Sequence, residues 1–73
     1  MRVILYQLSF SQRQERFKDE IDFKKRMKEL WQEGIKFTPM VLVENIPGKE
    51  KPIWMMLHNY TKILKKEEQK GGN

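Results

Sequence analysis

The chain has 73 residues, with 15 Lys and Arg against 10 Asp and Glu, a formal charge of +5, no cysteine and one histidine. That length holds a single small domain with a thin core, and the missing cysteines exclude disulfides and thiolate metal sites, as the lone histidine excludes a polyhistidine metal site. A charged fraction of 34% beside a hydrophobic fraction of 38% fits a globular module rather than a disordered chain.

The first element is the run Val3 to Phe10, rich in β-branched and aromatic residues, which reads as a strand. Ser11 with Gln14 three residues on has the pattern of a capping box, and Ser9 with Gln12 fits equally well. Nothing from there to Glu33 breaks a helix, and Gly34 suits the position after a helix end. The expectation is one helix of about six turns. On it, Phe17, Ile21, Phe23, Met27, Leu30 and Trp31 fall on one half of the circumference and should be buried. Glu15, Asp19, Asp22, Glu29 and Glu33 form an acidic outer ridge, interrupted only by Arg26.

Met40 to Val43 is the core of a second strand, with Pro39 marking an edge, a bulge or the strand's start. Pro47-Gly48 supplies the angles of a type II turn in a charged loop. Ile53 to Leu57 returns as a third strand and closes a hairpin. Tyr60, Ile63 and Leu64 then suit either a short C-terminal helix or a continuation of the strand. Residues 1–66 form the domain, and residues 67–73 read as a flexible polar tail.

The fold class expected is α+β in the order β-α-β-β: a small three-stranded mixed sheet, one long helix packed on one face and a right-handed crossover from first strand to second. Alternation along the strands makes both faces of that sheet apolar. Met40 and Leu42 oppose Val41 and Val43, while Trp54 and Met56 oppose Ile53, Met55 and Leu57. A sheet with one wet face would alternate apolar and polar residues. One helix covers one face, so the other calls for the C-terminal segment, a second copy or another protein. Burying a further 500 Å² or so of apolar surface is worth on the order of 12 kcal/mol before entropy. Trp54, Met56, Met40, Leu42 and Tyr6 are the candidate contact residues, since aromatic residues and Met are favoured at interface centres.

Catalytic patterns are missing from the sequence. His58 has no second histidine or cysteine to work with and reads as a partly buried structural residue beside Trp54 and Met56. The carboxylates Asp19, Glu20 and Asp22 lie among lysines and read as a solvated face, not a metal site. Pro47-Gly48-Lys49 lacks the second glycine of a phosphate loop. No cofactor is expected.

The chain thus reads as a non-enzymatic protein-binding module, homodimeric, that inhibits or redirects a partner protein in the style of small phage or mobile-element products. No run approaches the roughly 20 apolar residues of a membrane span, so a cytoplasmic protein is the expectation. The alternative is a basic nucleic-acid binder. It would use Lys49, Lys51, Lys62, Lys65 and Lys66 on the phosphates and Trp54 and Tyr60 as stacking platforms.

Overall fold

The computed structural model describes residues 1–71, with side chains as far as Glu68. Its elements run β1 (Arg2–Phe10), β2 (Arg13–Phe17), α1 (Glu20–Gln32), β3 (Thr38–Glu44), β4 (Ile53–Met56) and α2 (Leu57–Gly71). The sheet is four-stranded, ordered β2-β1-β3-β4, and every neighbouring pair is antiparallel. The α+β class holds. The three-stranded mixed sheet and its parallel crossover give way to a different topology.

The cause is the segment read as the first turns of a long helix. Ser11 and Gln12 both have positive φ, 41° and 62°, and Phe10 pairs with Arg13 across them. Two residues with left-handed dihedrals make the hairpin turn whose twist matches antiparallel strands. Arg13–Phe17 therefore folds back on β1 as β2, with Leu8 facing Glu15 and Tyr6 facing Phe17. This additional reversal flips the direction of everything that follows, so β3 returns antiparallel to β1 rather than parallel.

Helix α1 begins where its own signals lie. Asp19 is the N-cap, its Oδ1 accepting from the Ile21 amide at 2.7 Å. At the other end Gly34, at φ 74°, donates to the Trp31 carbonyl at 3.0 Å, and Ile35 donates to the Leu30 carbonyl at 2.9 Å. That pair is a Schellman motif, and its usual apolar clasp forms as Ile35 packs on the cluster containing Leu30.

Leu8, Phe10, Phe23 and Leu30 are the buried centre, with Tyr6, Phe17, Met27, Ile35, Phe37 and Leu57 around it. Tyr6 stacks on Phe23 at 4.8 Å between ring centroids. Helix α1 lies over β1 and β2, and α2 over β3 and β4. Leu57 joins the same cluster as the α1 residues, so both helices share one side of the sheet. Val41 and Val43, fully buried on that side, lie in the strand that α2 covers. The β3–β4 turn is as expected: Lys49 donates to the Ile46 carbonyl at 3.0 Å, with Gly48 at φ 82°. Pro39 pairs with Leu8 beyond the end of β4, where its missing amide leaves no gap in the β3–β4 ladder. Helix α2 runs through the expected tail as far as Gly71, and Gly72 and Asn73 lie outside the described residues.

Candidate functional site

Two helices on one side leave the other side of the sheet without a covering layer among the described residues. Register fixes what it presents. Leu42 faces Trp54 and Met40 faces Met56 across β3 and β4, with Leu5 opposite Leu42 and Gln7 opposite Met40 on β1. Four of the five residues expected at an interface are thus neighbours on one surface. Met40, Leu42 and Trp54 are half-buried, and Met56 is 48% exposed. The fifth, Tyr6, belongs to the opposite side. It sits under α1 against Phe23 as part of the core, because strand parity places it with Leu8 and Val41.

Polar contacts organise the centre of this surface. Arg16, opposite Gln7, donates from Nε to Gln7 Oε1 at 3.2 Å, and Gln7 Nε2 donates to Ser9 Oγ at 3.1 Å. The Arg16 guanidinium lies over the Trp54 ring at 5.5 Å. Gln7 is thereby buried with both ends of its amide engaged. Reading β2 as helix concealed Arg16 from this face.

The helix side differs from expectation at three residues. Trp31 and Ile21, placed in the buried arc, are 79% and 75% exposed. A half-circumference arc is too generous: the buried stripe is narrower and runs through Phe23 and Leu30. Arg26 is no break in an outer ridge. It reaches from α1 to the edge strand β2, pairing with Glu15 at 3.0 and 3.2 Å and with Glu29 at 3.1 Å. Those two carboxylates hold its guanidinium more firmly protonated than usual.

His58 stands exposed in the first turn of α2, not beside Trp54 on a strand, because β4 ends at Met56. Lys49 and Lys51 are exposed in the β3–β4 loop. Lys62, Lys65 and Lys66 form one exposed stripe of α2, opposite Tyr60, Ile63 and Leu64. No group of three His, Cys, Asp or Glu among the described residues is arranged to hold a metal. No helix among them is long and apolar enough to cross a membrane. Compared with known families, curated proteins and solved structures, the chain has no match.

Proposed function

We propose that this protein is a small non-enzymatic binding module that self-associates through the sheet face of Met40, Leu42, Trp54 and Met56 and in that form engages a partner protein, inhibiting or redirecting it. The observation that carries the reading is that, among the described residues, no helix lies on that face, although four large apolar residues meet there. Two methionines beside a tryptophan make a surface that adapts to its counterpart, and the Trp54 indole is steadied in advance by Arg16. A two-fold arrangement would place the same patch against itself.

Sedimentation of the native chain at two protein and two salt concentrations tests this. A dimer that survives dilution is expected, and Met56→Glu, at an exposed position of an edge strand, converts it to monomer with an unchanged circular dichroism spectrum. A native monomer, or a dimer indifferent to Met56→Glu, overturns the reading. The nucleic-acid alternative draws on the lysine stripe of α2 together with the loop lysines. It requires binding to single strands that weakens steeply with salt and falls when Lys62, Lys65 and Lys66 are replaced by Glu.

A further inference from the structure

On the other side of the molecule, we propose that the flank of α1 bearing Met27 and Trp31 is a docking groove for an acidic amphipathic helical segment of a partner protein. Trp31 is the most exposed large apolar residue among those described. Its indole stands between two hollows. One, of about 730 Å³, is lined by Lys24, Met27, Lys28, Trp31, Gln32 and Phe37. The other, of about 590 Å³, continues along Gly34 to Phe37 and includes Lys36. The floor is apolar, the charged residues of the lining are all lysines, and no carboxylate lines either hollow.

Glu29 is on the far flank and engaged with Arg26. On the groove flank, Lys24 and Lys28 are one turn apart, so their ammonium groups match carboxylates spaced at the same interval on a docked helix. Among the described residues Lys24 pairs with Glu20 alone, at 3.0 Å, an exposed pair that costs little to exchange. Lys28 has no carboxylate partner among the described residues. The Schellman closure holds the Trp31 backbone through its carbonyl. A tryptophan flanked by apolar hollows and a basic rim is the kind of group on which interface energy concentrates.

With Trp54→Phe, Trp31 is the sole tryptophan and reports on its own surroundings. The probes are two amphipathic peptides of four helical turns, one of Leu and Glu, the other of Leu and Lys in the same pattern. Saturable blue-shifted Trp31 emission is expected with the Leu/Glu peptide, at least ~10-fold weaker binding with its Leu/Lys counterpart, and weakening by salt. In the otherwise native chain, followed by anisotropy of the labelled Leu/Glu peptide, Trp31→Ala and Lys28→Glu should each cost ~10-fold or more in affinity. Both positions are exposed, so thermal melts should stay unchanged; if Trp31→Ala unfolds the chain, Lys28→Glu gives the answer. No binding of the Leu/Glu peptide, equal binding of both peptides, or binding lost with Met56→Glu but not with Trp31→Ala overturns the proposal. Self-association abolished by Trp31→Ala would assign the groove to a second copy and overturn it likewise.

Discussion

Tyr6 lies under α1 against Phe23 while Trp31 stands in solvent, and both placements have a geometric cause. A strand's alternation says which residues share a face but not which face the helices will take. Tyr6, set on the same parity as Leu8, goes with the helices. Trp31 sits at the border of the helical stripe, where a few tens of degrees decide between core and solvent. The burial of Tyr6 has a measurable consequence. Its phenol is pushed up by burial first and then by the charges of Glu20, Tyr60 and Asp19. Tyr60 is raised by burial and then by Glu20 and Glu67. A folded-state pKa above the unfolded one means that the unfolded chain loses these protons first. The stabilisation is therefore complete below about pH 10 and is lost as pH rises through the folded-state values. Thermal melts between pH 8 and pH 11 or so should fall at the alkaline end. The double variant Tyr6→Phe with Tyr60→Phe should flatten that fall; an equally steep decline would remove the tyrosines as its cause.

At the scale of elements, three of four strands were legible because their apolar runs leave little else to be. Strand β2 was not. Its sequence Arg13-Gln-Glu-Arg-Phe17 has no β-branched residue, and Ser9, Ser11, Gln12 and Gln14 mimic a helix start. What decides is tertiary: pairing with β1, the Arg26–Glu15 clamp, and Phe17 tilted against Phe23 at 6.1 Å. Four charged or amide residues at an edge also discourage further strand addition there. The hairpin makes an opposite forecast from a continuous helix. Gln12 holds a left-handed conformation at φ 62°, which costs a non-glycine residue about 1 kcal/mol. Gln12→Gly should therefore stabilise the chain by roughly 0.5–1 kcal/mol in denaturant unfolding. In the interior of a helix the same change would destabilise by about as much. The sign of that one value separates the two structures.

For the whole molecule, the pairs Met40 with Leu42 and Trp54 with Met56 were each legible from strand alternation, and the β3–β4 register puts them on one face. What covers the opposite side was not legible, since it depends on α2 folding back rather than fraying. With α2 in place, Val41 and Val43 are fully buried. Exposing two such side chains costs about 1.5–3 kcal/mol each, against a total of only 3–5 kcal/mol or so for a core of this size. Helix α2 must then be part of the folding unit and not an appendage. A chain ending at Met56 should show no cooperative thermal transition, whereas one ending at Glu68 should melt as the full chain does. Retention of the native transition by the shorter chain would mean that α1 and the sheet suffice, and that α2 is free to leave. In that case Val41, Val43 and Met55 would be uncovered in turn, and the molecule would have two apolar sheet faces to satisfy. Loss of the transition leaves one, which is the condition under which the association proposed through Trp54 and Met56 can be specific.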